Sequence, residues 1–335
     1  MKIPTPRKLK SGNYFIQLRL NGVSVPITAA SATECRRRAE LIKAQHLAKA
    51  SVISKGSDMI IGDASDEYIS NNSNTLSPST LRGYSIMRRN RFRSVIDKPF
   101  SRVKNWQRII NDEAATCSAK TLKNAWGLIS AVMRSNDIPV PHIKLPQVVK
   151  KDALWLEPEQ ITVFVEAVSK EPFAVSALLA LHSLRRSEIY AIAHNGGIDL
   201  KKNVIHVRGA VVPNEQHQMV YKETNKTNSS SRDIPIMIPQ LIDAIKSGLP
   251  IVEGSPDTLR RRINRVCREN DLPEVGIHGL RHSFASLAYH LGWSEQFTME
   301  IGGWSDTKTM HNIYTHLSRS DRFKANSAMF DFYSK

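Results

Sequence analysis

Five side chains in the second half of the sequence could act together on a phosphate group. They are two isolated arginines, a histidine, a lysine in a polar segment and a late tyrosine: Arg185, Arg281, His278, Lys226 and Tyr314. Arginine presents a planar fork of donors that matches phosphate oxygens, and His278 and Arg281, three residues apart, would share one helix face. Two guanidinium groups on one phosphodiester would stabilise a pentavalent transition state without a metal ion. A tyrosine hydroxyl, with an ordinary pKa of about 10, needs such cationic help to act as a nucleophile.

Other kinds of catalytic site are missing from the sequence. It contains no Gly-x4-Gly-Lys-Ser/Thr loop, so use of ATP is not expected, and no Gly-x-Ser-x-Gly elbow. No cluster of carboxylates offers a two-metal site. Each candidate feature is weak by itself, because a pair such as Arg185 and Glu188 near a helix end is usually a structural salt bridge. Only the order and spacing of the features together favour catalysis.

Five motifs follow one another in the sequence. They are Leu184-Arg185-Arg186-Ser187-Glu188, then Lys226-Thr227 with Arg232-Asp233-Ile234-Pro235, then His278-Gly279-Leu280-Arg281-His282-Ser283-Phe284-Ala285, then Gly303-Trp304, and finally Tyr314-Thr315-His316. This order resembles the tyrosine recombinases, the phage integrase family, over about residues 155–320. Taken together the motifs are highly specific, and no cofactor or metal is implied by the resemblance.

The resemblance implies a role for each candidate residue. Arg185 and Arg281 would clamp the scissile phosphate, and Lys226, in the turn of a β-hairpin, would act as general acid on the leaving 5′-hydroxyl. His278 would assist proton transfer to and from Tyr314. The tyrosine would attack phosphorus and form a 3′-phosphotyrosyl linkage, which a 5′-hydroxyl of a partner strand would reverse.

The sequence departs from the family pattern at two positions and leaves two rivals open. Trp304 stands where the family has His or Trp, so it would donate a hydrogen bond from its indole rather than act as an acid or base. Ser183 replaces a frequent glycine, with an expected effect on packing only. Lys222 is a rival to Lys226 and Tyr333 is a rival nucleophile, although the spacing to Pro235 and the absence of a Gly-Trp lead-in disfavour them. Glu188 is expected to support Arg185.

The overall charge indicates an anionic partner. The 335 residues carry a net charge of +16, which divides into +9 for residues 1–55, +6 for 56–150 and +1 for 151–335. Such asymmetry favours nucleic acid over a merely solvated basic surface. The three cysteines form no Cys-x-x-Cys pair and no apolar run approaches the roughly 20 residues of a membrane span. We therefore expect a cytoplasmic protein that is neither secreted nor membrane-bound.

The first of three expected modules, residues 1–55, is a candidate arm-type DNA-binding domain. Apolar alternation over 14–20 and 23–27 around Asn21-Gly22 predicts a β-hairpin. A capping box at Ser31-Ala32-Thr33-Glu34 predicts a helix to about Ala50, and the polar residues 54–58 predict a linker. An accessory domain with a basic surface is the alternative.

The second module, residues 58–145, is expected to be a helical core-binding domain, and the third, residues 151–335, the catalytic domain. Helices are predicted near 62–72, 77–96, 102–112 and 118–136, with Trp106 and Trp126 in the core, and three prolines predict an extended connector over 138–146. In the third module Glu157–Gln160 should open a helix, an apolar helix should run from Ala174 to about Leu184, and strands should occupy 204–208 and 218–223. The fold class is α+β.

The resemblance thus implies a site-specific integrase of a phage or integrative element. Four protomers would bind core and arm sites on double-stranded DNA and exchange strands through a Holliday junction, with accessory DNA-bending or directionality proteins as further partners. The alternatives are a chromosome-dimer resolving recombinase, a type IB topoisomerase and a catalytically inert DNA-binding regulator. The apolar residues Met329, Phe330 and Phe332 would let the C-terminal tail dock on a neighbouring protomer.

Overall fold

The computed structural model describes residues 3–20, 23–149, 154–223, 231–307, 326–327 and 329–334, and within 48–57 only the backbone. The chain forms two compact units, Met1–Val149 and Lys150–Lys335. Across these described ranges, no helix is both long enough and apolar enough to cross a membrane.

The first unit begins with a small antiparallel sheet and a helix. Its elements are β1 (Arg7–Lys8), β2 (Tyr14–Leu20), β3 (Val23–Ala29) and α1 (Ala32–Ser57), and the sheet order is β1-β2-β3. The predicted hairpin is confirmed in its strands, whereas its Asn21-Gly22 turn lies outside the described residues. Ile16, Leu18 and Ile27 form the buried face with residues of α1.

Two predictions about this region are wrong. Helix α1 continues to Ser57, so residues 54–57 are its last turn and not a linker. The hydroxyl of Ser31 does accept the backbone N–H of Glu34 (3.2 Å), but the Glu34 carboxylate binds Arg37 and Arg38. These i, i+3 and i, i+4 ion pairs support the helix beyond its cap.

The rest of the first unit is helical. It contains α2 (Ile61–Asn71), α3 (Pro78–Asn90), a short 3-10 helix (Phe100–Arg102), α4 (Trp106–Ala114) and α5 (Ala119–Ser135). Trp106 and Trp126 are buried with ring centroids 5.4 Å apart, which confirms their predicted place in the core. Helix α3 ends before the predicted residue 96 because Phe92 turns into the core with φ 55°. Residues 138–146 form no helix or strand, as predicted.

Two separate apolar clusters lie in this unit, one under the sheet and one among α2–α5. The boundary between the first two expected modules stays a prediction. The second unit has one large cluster of its own, built around the fully buried helix of residues 174–181.

The second unit is mainly helical with two small sheets. In chain order it contains α6 (Pro158–Val168), α7 (Ala174–Leu181), α8 (Arg186–Asn195), β4 (Ile198–Asp199), β5 (Val204–Val207), β6 (Ala210–Pro213), β7 (Met219–Lys222), β8 (Arg232–Pro235), α9 (Pro239–Lys246), α10 (Pro256–Glu269), α11 (Ile277–His290) and α12 (Glu295–Gly302). Helix α6 begins where predicted, because Gln160 accepts the backbone N–H of Glu157 at 2.9 Å and completes a capping box. Helix α7 is shorter than predicted and ends before Ser183.

The two described sheets of this unit lie close to Lys226 in sequence. Strands β6 and β7 pair with each other around a turn at 214–218, whereas β8 pairs with β5. Lys226, expected in the turn of a β-hairpin, lies outside the described residues, so its position stays a prediction. The mixed fold, helical with small sheets, agrees with the predicted α+β class.

Candidate functional site

Arg185 stands at the N-terminus of α8, where it is held by two partners. Its Nη1 donates to Glu188 Oε1 at 2.6 Å, and its backbone N–H donates to Glu188 Oε2 at 2.9 Å. Its Nη2 donates to the carbonyl of Gly303 at 2.5 Å. The guanidinium is thus fixed from behind while about a third of the side chain stays exposed (31%). Such a group is oriented before any ligand arrives.

Arg281 lies in α11 and is almost completely buried, at 4% exposure. Its Nη1 donates to the carbonyl of Ser183, and its Cζ lies 4.1 Å from the centroid of the Trp304 ring. Its Nη2 has no hydrogen-bond partner among the described residues. Burial, followed by the charge of Arg185, lowers the pKa of Arg281 well below its usual value. An anion at Nη2 would offset both effects.

A third arginine joins the first two. Arg232, the first residue of β8, is buried at 8% exposure and binds Glu188 through Nη2 (3.1 Å) and Nη1 (3.3 Å). Burial alone would raise the pKa of Glu188, but the charge and hydrogen bonds of Arg232, followed by those of Arg185, leave that pKa below its usual value. The expected supporting role of Glu188 is therefore seen in its contacts.

Sequence reasoning placed Arg232 in the second motif but gave it no role, although a signal for one was present. Side chains alternate along a strand, so Arg232 shares a face with Ile234, and both are buried. A charged residue on an apolar strand face must be paired in the folded protein.

Two residues with left-handed backbone present the carbonyls that hold the arginines. Ser183 has φ 69° and Gly303 has φ 65°. Ser183 therefore occupies a conformation that suits glycine, and its buried hydroxyl has no hydrogen-bond partner among the described residues. The Ser183 carbonyl accepts from Arg281, but this is a main-chain contact that a glycine would also make. The expectation that the departure affects packing only therefore stays a prediction.

Trp304 contributes its ring to the site. It is buried at 8% exposure and stacks on Phe284, with the ring centroids 6.5 Å apart and the planes 19° apart. With Arg281 over the ring, Trp304 covers a guanidinium that is largely withdrawn from water, a geometry in which cation–π attraction is strong.

His278 lies in the first turn of α11 and is exposed. It lines a cleft of about 410 Å³ together with Arg186, Arg260 and His282. Partial desolvation, followed by the charges of Arg281, Arg186 and Arg185, lowers the pKa of His278 and favours its neutral form. A neutral imidazole can accept a proton from a hydroxyl beside it.

Four predicted residues are thus brought together, and two lie outside the described residues. Arg185, His278, Arg281 and Trp304 surround one region, in which the charges of both arginines act on His278. Lys226 and Tyr314 are not described. Of their rivals, Lys222 ends β7 opposite Ala210, and Tyr333 is exposed in the helical turns near the C-terminus.

Comparison with known proteins identifies the family. Residues 155–321 match the model described as the phage integrase family. Through this domain, the chain belongs to the phage integrase family. This family member gives no match when its sequence is compared with curated proteins.

Solved structures share the fold of this phage integrase family protein. A fragment of the Tn1549 transposon integrase, in complex with transposon right end DNA, has a TM-score of 0.62 at 18% identity, covering 83% of this chain and 100% of that chain. A lambda integrase dimer bound to a COC′ core site has a TM-score of 0.56 at 14% identity, covering 92% and 94%. A lambda integrase tetramer bound to a Holliday junction has a TM-score of 0.52 at 16% identity, covering 90% and 96%.

The predicted family and fold class, and the predicted function as a tyrosine site-specific recombinase, are confirmed. The roles of individual residues and the three-module boundaries stay predictions.

Proposed function

We propose that this recombinase is an integrase of a phage or integrative element that cuts and rejoins double-stranded DNA through a covalent link to Tyr314. The observation that carries the proposal is the arrangement of Arg185 and Arg281. Both guanidinium groups are held by backbone carbonyls, and Nη2 of Arg281 is buried without a hydrogen-bond partner among the described residues. A phosphodiester is the natural ligand for such a pair.

The proposed cleavage step conserves the energy of the phosphodiester. The hydroxyl oxygen of Tyr314 bonds to phosphorus and its proton passes to His278, while the bond from phosphorus to the 5′-oxygen breaks and Lys226 protonates that oxygen. Arg185 and Arg281 stabilise the added negative charge. Since one phosphodiester replaces another, rejoining by the 5′-hydroxyl of a partner strand needs neither ATP nor a metal ion.

Trp304 supports this step through Arg281. Its ring lies over the guanidinium and keeps it away from water, and the indole N–H is proposed to donate to a phosphate oxygen. In a site of low dielectric constant the charge of Arg281 acts more strongly on the phosphate than it would in solvent.

The proposed partner of the first 150 residues is DNA, with arm sites bound by the N-terminal sheet. The outer face of that sheet carries Arg7, Phe15, Gln17 and Arg19, with Arg7 lying over the Phe15 ring at 5.2 Å from its centroid. Arginine and glutamine are side chains that read base edges in the major groove. The Tn1549 and lambda integrases named above were solved on DNA, which supports this proposal by analogy.

The proposed assembly is a homotetramer on two DNA sites, with accessory DNA-bending or directionality proteins as further partners. The C-terminal residues Met329, Phe330 and Phe332 are exposed, as expected for a tail that docks on a neighbouring protomer. Deleting residues 326–335 should weaken synaptic assembly, and unchanged assembly and cleavage would refute docking.

A nicked suicide substrate carrying the attachment site tests the central proposal. Wild type should accumulate a covalent protein–DNA adduct, Tyr314→Phe should form none, and Tyr333→Phe should form as much as wild type. An adduct that survives Tyr314→Phe would place the nucleophile elsewhere. Relaxation of supercoiled plasmid that lacks an attachment site would instead favour a type IB topoisomerase, and no adduct from wild type would favour an inert regulator.

A further inference from the structure

Arg232 joins three chain segments with one buried guanidinium. It binds both carboxylate oxygens of Glu188, its Nε donates to the carbonyl of Ile301 at 2.7 Å, and its Nη2 lies 3.5 Å from the carbonyl of Ser183. These segments come from α8, from α12 and from the turn after α7. A planar group with five donors can hold all three at once, which an ammonium group cannot.

The same three segments hold Arg185 and Arg281, the two clamp arginines that are proposed to bind the phosphate. Ser183 presents its carbonyl to Arg281, and Glu188 binds Arg185. Two residues after the carbonyl that Arg232 binds in α12, Gly303 presents its carbonyl to Arg185. A side-chain carbon on Gly303 would come within 2.7 Å of the Arg232 guanidinium, so the two are in close contact. Movement of Arg232 would therefore displace the groups that hold Arg185 and Arg281.

The charges explain why a second arginine on Glu188 matters. Glu188 is buried at 2% exposure, and with Arg232 present its two oxygens are shared between two guanidinium groups. Without Arg232 the buried carboxylate would have Arg185 as its only described charged partner. The whole charge of Glu188 would then fall on Arg185, which already binds it at 2.6 Å, and less positive charge would be left for the phosphate.

We infer that Arg232 is a positioning residue for strand cleavage, which acts through Glu188 and the Gly303 segment to keep Arg185 available to the scissile phosphate. This inference rests on the proposed function of Arg185 and Arg281. It goes beyond the roles given to the motif residues, because Arg232 stands in the second motif without a role and its contacts are with Glu188 and with backbone carbonyls.

A double-mutant cycle on Arg232→Gln, Glu188→Gln and the double variant tests the inference. Single-turnover adduct formation is measured at saturating suicide substrate, beside DNA affinity and the urea midpoint. Displacement of a catalytic group by about 1 Å can cost about 100-fold, so we expect each single variant to cleave about 10- to 100-fold more slowly, with DNA affinity changed less than about 3-fold. The double variant should cleave no more slowly than the slower single variant, because the two residues act in series.

Two outcomes overturn the inference. Normal cleavage rates in the folded Arg232→Gln protein would make Arg232 a structural counter-ion only. Multiplicative losses in the double variant would mean that Arg232 does not act through Glu188. If Arg232→Gln does not fold, Arg232→Lys is tested, because it keeps the positive charge without the planar guanidinium. Arg232→Lys should fold but still cleave slowly, and cleavage at the wild-type rate would equally refute the positioning role.

A matched control separates this inference from the proposed function. Arg265→Gln removes an arginine from a more exposed pair, Arg265 with Glu171 at 2.6 Å, and should cleave at the wild-type rate. Wild type must form the adduct in the same assay. If it does not, the proposed function fails, whereas normal cleavage by wild type and all Arg232 variants rejects only the positioning role.

Discussion

The guanidinium of Arg281 lies over the ring of Trp304, with its Cζ 4.1 Å from the ring centroid, and the same ring stacks on Phe284. A cation that is almost fully buried is thus covered by an aromatic face instead of a carboxylate. Its charge is screened from water without being neutralised, which is what a phosphate-binding group requires.

Trp304 should therefore be important for both stability and cleavage. Trp304→Ala removes the stacked ring and should lower the free energy of unfolding by about 3–5 kcal/mol, as large aromatic truncations do. Trp304→Phe keeps a ring under Arg281 and should lose less stability and retain more cleavage. Urea unfolding and single-turnover adduct formation measure the two effects. Equal losses in both variants would show that the ring face contributes nothing to Arg281.

Ser183 should be replaceable by glycine with a gain in stability. Its left-handed backbone and its buried hydroxyl without a described partner are both unfavourable for serine. Ser183→Gly removes both costs and should raise the free energy of unfolding by about 1 kcal/mol. Ser183→Ala removes only the hydroxyl and should gain less. A loss of stability in the glycine variant, measured by urea denaturation, would contradict the assignment of backbone strain.

The buried His182 should make the fold sensitive to acid. Its Nδ1 donates to the Leu178 carbonyl at 2.8 Å, and its Nε2 accepts the backbone N–H of Met237 at 2.9 Å, so the ring must stay neutral. Burial lowers the pKa of His182 to about 4, below its ordinary 6.5. Because only the unfolded state gains this proton between those two values, stability falls as the pH drops from 6.5 towards 4. The loss from His182 alone between pH 7 and pH 5 should be about 2 kcal/mol.

His182→Gln removes this titration and keeps an amide that can make both hydrogen bonds. Its free energy of unfolding should fall less than that of wild type between pH 7 and pH 5, while the exposed control His142→Gln should follow wild type. Burial also lowers the pKa of His282 to about 4, so part of the acid sensitivity should persist in His182→Gln. Parallel pH profiles for wild type and His182→Gln would rule out a neutral buried imidazole at this position.

Removing the N-terminal sheet together with all of α1 should separate two kinds of DNA binding. Deletion of residues 1–57 should abolish binding to distal arm sites and spare cleavage at the core site. The slope of binding affinity against salt concentration should also become shallower, since the deleted segment carries a large share of the excess positive charge. Electrophoretic mobility shifts with arm and core probes test this, and equal losses on both probes would refute the arm-binding role.

The sequence was most informative where a pattern is local. The hairpin strands, the start of α6 at Glu157–Gln160 and the burial of Trp106 and Trp126 were predicted from the sequence, and the structure has them. The motif residues were found because their order is unusual.

The features that the sequence did not reveal depend on distant contacts. The end of α3 is set by Phe92, whose N–H is bound by Glu113 and whose ring enters the core. The length of α1 exceeded the prediction because the polar residues up to Ser57 were compatible with helix as well as loop. The link from Arg232 to Glu188 spans 44 positions of the chain, and no local rule connects them.

The two left-handed residues, Ser183 and Gly303, present main-chain carbonyls that help to orient Arg281 and Arg185, beside the Glu188 carboxylate that also binds Arg185. Carbonyl oxygens carry no net charge, so they orient the guanidinium groups without cancelling them. Side-chain substitutions cannot remove these carbonyl acceptors. The strength of the acceptors can be altered only by a chemical change in the main chain. An ester linkage in place of the amide at residue 184 or 304, introduced by semisynthesis, would weaken the carbonyl acceptor of Ser183 or of Gly303. It would also remove the N–H that donates to the carbonyl of Leu179 or of Met299.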